Sequence, residues 1–276
     1  MNIAFIGGGN MAAALIGGMQ RVGDVHSIAV LEIDTERGRQ LGAQHGVAVH
    51  HMAGSWLGAK DIVVLAVKPQ QMRSAVDAIK PFIARPLVLS IAAGVRASTL
   101  ARWLGTDVIV RTMPNTPALI GAGITGAAAL GGVSPEQRAA ADQILRAVGD
   151  VVWFDDESLL DPVTAVSGSG PAYVFFFIEA MQQAARDMGL NETQARCLTV
   201  ETFLGAARLA AASPEPVAVL RERVTSKGGT TAAALASLDA DKVGAAIVRA
   251  LHAANARART RRRARPLASG ARGQRS

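Results

Sequence analysis

Apolar residues in the first part of this chain fall into short runs separated by Gly, Pro and polar positions. Such runs occupy 2–6, 28–33, 47–49, 62–67, 87–91 and 108–112. They are rich in Val, Ile and Leu, and their brevity and sharp borders predict strands buried on both faces of a sheet. Between them, 10–21, 35–45, 70–79 and 96–104 carry apolar residues at helical spacing. Alternating strands and helices predict an α/β domain with a parallel, doubly wound sheet. A helix over 134–148 and a strand over 151–154 extend that domain. From about Asp161 the strand pattern stops. Helices are predicted over 163–188, 191–212, 215–223, 230–238 and 241–258, an all-α second domain.

Composition supports two domains. The chain has 276 residues, half of them hydrophobic and 18% charged, enough apolar surface for a large core. Aromatics are scarce, and Ala and Gly dominate, which implies closely packed helices. Cys197 is the single cysteine, so no internal disulfide forms. Its helical surroundings predict a buried thiol, and a reducing, cytoplasmic compartment fits. The N-terminus has no basic stretch ahead of an apolar core, so no signal peptide is expected. The most apolar internal run, Tyr173–Ile178, ends at Glu179 and is too short to span a bilayer. No membrane association is expected.

The net charge of +7 is misleading. Residues 255–276 hold eight arginines and no acid, more than the whole excess. The basicity belongs to a tail, 259–276, whose Arg, Gly, Pro and Ser content predicts disorder. Nucleic-acid binding would rest on that tail alone and would weaken steeply with salt. Deleting 261–276 is expected to leave turnover of the body unchanged.

The first strand ends in a phosphate-binding pattern. Ile6 leads into Gly7-Gly8-Gly9-Asn10-Met11-Ala12, a G-x-G-x-x-A match between a strand and a helix. Gly7 permits the tight turn, Gly9 lets backbone approach a pyrophosphate, and Ala12 lets helix pack on strand. At the end of the second strand, Glu32 and Asp34 both have the spacing of an acid that accepts hydrogen bonds from an adenosine ribose, which favours NADH. Arg37 and Arg39 follow, and would instead suit a 2′-phosphate. The fourth strand ends in Ala66-Val67-Lys68-Pro69-Gln70. Ligands bind beyond the carboxyl ends of parallel strands, so Lys68 is placed to reach ribose or phosphate oxygens. Asn115 and Thr116, between Pro114 and Pro117, lie at the same edge and either frame a nicotinamide amide or satisfy their own loop. In the helical half, Ser167-Gly168-Ser169-Gly170 and Thr225-Ser226-Lys227-Gly228-Gly229-Thr230-Thr231 each precede a helix. Glycines and hydroxyls there make a nest of N–H groups suited to a carboxylate, or simply cap the helices.

Five segments together resemble the pyrroline-5-carboxylate reductases over about residues 1–258. They are Ile6–Met11, Ala66–Gln70, Met113–Pro117, Val166–Tyr173 and Val224–Thr231. The resemblance implies a dinucleotide-binding Rossmann domain (1–160) and a helical dimerisation and substrate domain (161–258) that intertwines with a second subunit. It implies a homodimer or a higher assembly of dimers, in the cytoplasm, catalysing the last step of proline synthesis. The substrate would be a cyclic imine bearing a carboxylate, and the cofactor NADPH or NADH, with no metal. By motif, Ile6, Gly7, Gly9, Asn10, Met11, Ala66, Val67, Lys68, Pro69 and Asn115 would hold the cofactor. Ser226, Gly229 and Thr230 would hold the carboxylate, and Thr231 would hydrogen-bond the ring nitrogen. No His or Glu need be a dedicated general acid, and no motif supplies one. Solvent can protonate the imine, so orientation carries most of the acceleration.

The chain departs from the family at three points. Lys227 stands where the family usually has proline, Ala53 where it commonly has an asparagine on the adenosine side, and the arginine-rich end runs past the family's usual stop. Two other readings compete. β-Hydroxyacid dehydrogenases use a lysine on a second-domain helix, and 163–188 and 191–212 contain none. A regulatory protein that kept only the nucleotide fold would not need the Ser226–Thr231 loop.

Overall fold

The computed structural model describes residues 1–23 and 27–263, with side chains described as far as Thr260. The strands are β1 (Asn2–Ile6), β2 (Ser27–Leu31), β3 (Ala48–His50), β4 (Ile62–Leu65), β5 (Leu87–Ser90), β6 (Ile109–Met113), β7 (Gly123–Ala129) and β8 (Gly149–Phe154). The helices are α1 (Asn10–Arg21), α2 (Thr35–His45), α3 (Met72–Ile79), α4 (Ala97–Leu104), α5 (Pro135–Arg146), α6 (Leu160–Val163), α7 (Gly170–Asp187), α8 (Glu192–Ala212), α9 (Val217–Arg223), α10 (Thr230–Ala240) and α11 (Val243–Arg263). They form two compact units, one of Met1–Ser169 with the chain from Ala254 onward, the other of Gly170–Ala253.

All eight strands lie in one sheet, in the order β3-β2-β1-β4-β5-β6-β7-β8. The first six run parallel, as expected from the alternating pattern. The period of two along a strand decides which layer each side chain enters. Ile3 and Phe5 of β1 join Ile62 and Val64 of β4 in a core with Leu15, Ile16 and Met19 of α1 and Ile144 and Leu145 of α5. Ala4 and Ile6, with Val63 and Leu65, enter the opposite core with Met72, Val76 and Ile79 of α3 and Leu100 of α4. Each fully buried aliphatic side chain there contributes roughly 1.5–3 kcal/mol, so a sheet covered on both faces is strongly favoured.

The main departure from the expected sheet is β7. It pairs antiparallel with β6, Val110 opposite Ala129 and Met113 opposite Gly126, and parallel with β8. No strand was expected over 123–129, because two glycines and three alanines carry little strand propensity. Its neighbours on both sides impose it. The helix expected over 163–188 is divided into α6, a π-helical turn at Thr164–Gly168, and α7. Ser167-Gly168-Ser169 is therefore no open anion loop. The N–H of Ser169 already donates to the Thr164 carbonyl at 2.9 Å.

The second unit contains α7 to α10 and the start of α11. Its long helices leave large apolar side chains uncovered: Phe175 is 64% exposed and Phe176 68%. Buried residues within the unit are Ala185, Ala195 and Thr199. Cys197, expected to be buried, is exposed. Helix α11 continues to Arg263, into the stretch expected to be a disordered tail. The rest of that tail, 264–276, lies outside the described residues. Among the described residues, no helix is long and apolar enough to cross a membrane, and no cluster of His, Cys, Asp or Glu is suited to a metal.

Candidate active site

The carboxyl ends of β1, β4 and β6 carry the expected cofactor residues. Gly7 follows β1 with φ +99°, a conformation open to glycine, and a Cβ there would stand 2.9 Å from Val67 Cγ1 and 3.0 Å from the Ala66 carbonyl oxygen. That close approach, with the Ala66 N–H donating to the Ile6 carbonyl at 2.9 Å, brings Ile6–Met11 and Ala66–Val67 together. Helix α1 begins after Gly9 with no side-chain cap and no acid in its first turn. A Cβ on Gly9 would meet no atom within 4 Å. The positive end of a twelve-residue helix, uncapped behind a glycine turn, fits a diphosphate. Lys68 is exposed just past β4, ahead of Pro69.

The two acids after β2 have distinct environments. Glu32 is 6% exposed. Its Oε2 accepts the Gly8 N–H at 2.8 Å, and its Oε1 accepts the Asp34 N–H at 2.9 Å. Asp34 caps α2, accepting the Arg37 N–H at 3.0 Å. Arg39 is engaged by Glu36 through two hydrogen bonds, at 2.7 and 3.0 Å. The Glu36 carboxyl is held below its usual range by Arg39 and then Gln40.

Beyond β6, Asn115 is buried and committed to its surroundings. Its Oδ1 accepts the Ile124 N–H at 3.0 Å, and Nδ2 reaches Ser167 Oγ at 3.4 Å. One of its two amide hydrogens is left for another acceptor. Met113 packs onto Gly168, where a Cβ would lie 2.5 Å from Met113 Cε. The Met113–Pro117 and Val166–Ser169 segments are thus one contiguous patch. A cavity of about 530 Å³ opens at this edge, within the first unit, lined by Pro69, Gln70, Gly94, Arg111, Thr164 and Ser169 among others. Its size suits a small-molecule site. A depression of similar volume at the other sheet edge, near Met1 and Lys60, contains none of the motif residues.

Sequence reasoning missed one feature of this edge. Arg111 is buried in β6, and its Nη1 lies 3.0 Å from Glu157 Oε1. An arginine after Val108-Ile109-Val110 was the available signal.

The expected substrate residues lie in the second unit. Gly228 turns the chain with φ +73°, and the Gly229 N–H donates to the Ser226 carbonyl at 3.1 Å. Gly229 is the extended N-cap of α10, again with no side-chain cap and no acid in the first turn. Ser226, Lys227 and Thr230 are exposed and Thr231 is half-buried. Hydroxyls therefore ring a second uncapped helix start, an arrangement suited to a carboxylate.

Comparison with known proteins decides the family. Residues 157–261 match the model for pyrroline-5-carboxylate reductase dimerisation. Residues 2–94 match that for coenzyme F420-dependent NADP oxidoreductases. The pyrroline-5-carboxylate reductase of Pseudomonas aeruginosa is 43% identical over 258 residues, 92% of this chain and 94% of its own. The chain belongs to the pyrroline-5-carboxylate reductase family. The Haemophilus influenzae member is likewise 43% identical, covering 91% of this chain and 94% of its own. The solved Coxiella burnetii enzyme superposes with a TM-score of 0.88 at 39% identity, over 94% of this chain and 98% of that one. The Plasmodium falciparum enzyme, solved with NADP bound, gives 0.85 at 27% identity, over 95% and 98%. Family membership accounts for the uncovered helices of the second unit, since the dimerisation match spans them.

Proposed function

We propose that this chain reduces 1-pyrroline-5-carboxylate to L-proline as the last step of proline biosynthesis, working as a homodimer or an assembly of dimers in the cytoplasm. The observation that carries the reading is a pair of uncapped helix starts, one in each unit. The first, at Gly9 and α1, follows a glycine turn and suits the diphosphate of a dinucleotide. The second, at Gly229 and α10, is ringed by hydroxyls and suits a small carboxylate. An enzyme joining a nicotinamide dinucleotide to a carboxylated imine needs both.

Bound NADPH or NADH would supply the hydride that adds to the imine carbon. The protein's part is placement. Ile6, Gly7, Gly9, Asn10 and Met11 would hold the diphosphate end through backbone groups. Ala66, Val67, Lys68, Pro69 and Asn115 would border the ribose and nicotinamide, Lys68 by its ammonium and Asn115 by its remaining amide hydrogen. Ser226, Gly229 and Thr230 would fix the substrate carboxylate, and Thr231 would hydrogen-bond the ring nitrogen. Holding the imine in one orientation turns an encounter into a near-attack geometry, a gain of up to several kcal/mol. No acid or base stands in the Thr225–Thr231 loop apart from Lys227, and solvent can supply the proton that makes the imine carbon electrophilic.

Substrate-dependent loss of nicotinamide absorbance, measured separately with NADPH and NADH, tests the reading. Oxidation that collapses in Thr231→Ala is expected. Folded dimeric protein that oxidises neither cofactor would limit the resemblance to the scaffold.

A further inference from the structure

We infer that Glu32 makes this chain selective for NADH over NADPH, a reading that rests on the proposed dinucleotide site and concerns its adenosine end. Two geometric facts carry it. The first is where the carboxylate lies. Glu32 is buried directly behind the glycine loop, with Oε2 2.8 Å from the Gly8 nitrogen. A Cβ on Gly8 would stand 3.2 Å from that oxygen. The negative charge is built into the cradle and cannot swing aside without breaking its bonds to Gly8 and Asp34.

The second is what those bonds consume. A 2′-phosphate at the end of β2 needs hydrogen-bond donors or cations. Two backbone N–H groups of the β2–α2 turn are already engaged, that of Asp34 by Glu32 and that of Arg37 by the Asp34 side chain. Both partners are carboxylates, so a phosphate dianion there would meet two like charges in place of two donors. A ribose 2′-hydroxyl meets the opposite situation. An ionised carboxylate has about four lone-pair sites. Two are used, and the others accept O–H donors. The nearby cations do not reverse the balance. Arg39 is paired with Glu36, Lys60 lies over the Trp56 ring at 5.8 Å, and His51 bonds the Glu32 carbonyl through Nδ1. Arg37 is exposed and is the one cation of the turn placed to favour a phosphate.

Titration of the dimeric protein with NADH and with NADPH, read by nicotinamide fluorescence without imine substrate, tests the inference apart from turnover. NADH is expected to bind more tightly by about tenfold or more. Glu32→Gln, which keeps an acceptor for Gly8 and removes the charge, is expected to narrow that ratio mainly by strengthening NADPH. Arg37→Ala removes the cation placed to favour a phosphate and is expected to widen the ratio by weakening NADPH. If Glu32→Gln does not fold, Glu32→Asp, which draws the carboxylate back from the ribose, is expected to narrow it. Tighter NADPH binding by the wild type overturns the inference, and so does an unchanged ratio in folded Glu32→Gln. Where Glu32→Gln does not fold, an unchanged ratio in folded Glu32→Asp overturns it too. Selective NADH binding without imine reduction would leave this inference standing and refute the reductase reading alone.

Discussion

Arg111 and Glu157 form a buried ion pair, Nη1 to Oε1 at 3.0 Å, and the same Glu157 oxygen accepts the Ala97 N–H at 2.8 Å. One carboxylate therefore ties β6 to the start of α4, the two segments flanking the cavity edge. Arg111 is 3% exposed, so removing its partner strands a guanidinium away from water. Glu157→Leu is expected to lower stability by about 3 kcal/mol, the low end for a broken buried pair because Glu157 is partly solvated. Arg111→Met combined with Glu157→Gln removes both charges and keeps an acceptor for Ala97. It is expected to recover most of the loss. Urea unfolding at one fixed protomer concentration compares them. Equal destabilisation of the single and double variants would show that packing, not charge, is at stake.

Much of this architecture was legible in the chain. The runs that became β1, β4 and β5 are almost wholly apolar, NIAFI, IVVL and LVLS, and such short runs are what a strand buried on both faces requires. The glycine turn was legible because its constraint is local: Gly7 must adopt positive φ against Val67. What could not be read depends on distant partners. Strand β7 owes its extended form to β6 and β8, and Gly126 is glycine because Val163 Cγ1 would lie 2.8 Å from its Cβ. Glu157 meets Arg111 across 46 residues, a pairing no spacing rule reveals. Cys197 shows the reverse error: helical, apolar surroundings in the sequence do not by themselves bury a side chain, and this thiol is exposed. At the candidate site, the residues of the glycine turn and the Gly229 loop were all readable. The division of labour between Glu32 and Asp34 was not, since their partners are backbone groups.

Thr231 offers the sharpest check on the substrate loop. It is the second residue of α10, half-buried behind the Gly229 cap. If its hydroxyl orients the ring nitrogen, Thr231→Val removes a hydrogen bond while preserving shape. A bond of that kind contributes about 1–3 kcal/mol when it aligns a reacting group, so kcat is expected to fall roughly tenfold to a hundredfold. Dinucleotide affinity should not change, because the residue belongs to the other uncapped helix. Steady-state kinetics beside a cofactor titration separate the two. A fall confined to cofactor affinity would contradict the assignment.

Lys227 is exposed in the same loop. An ammonium next to a carboxylate site adds attraction that solvent and salt reduce. Lys227→Pro is expected to raise the substrate KM by about threefold at low ionic strength. The gap between wild type and variant should close as salt is added, since exposed charges are screened within about 10 Å at 0.1 M. KM values that match at low salt would remove the lysine from substrate binding.

His45 gives the first unit a stability that depends on pH. Its Nδ1 faces Gln20 Oε1 at 3.1 Å, so that nitrogen carries the hydrogen of the neutral ring. Nε2 is buried without a hydrogen-bond partner. Protonation would place an unbonded N–H there and add a charge near Arg21. Burial first, and Arg21 second, push the imidazole below the usual value of 6.5. A histidine with a lowered folded pKa binds its proton more readily when unfolded. Stability is then fully present above about 6.5 and declines as pH falls from there toward the lowered folded value. His50 shifts the same way through burial, Lys60 and His51, so the two slopes add. His45→Gln is expected to flatten part of the loss measured by urea unfolding between pH 7 and pH 5. A slope as steep in the variant as in the wild type would move the effect to His50 or to carboxylates that release Arg partners at lower pH.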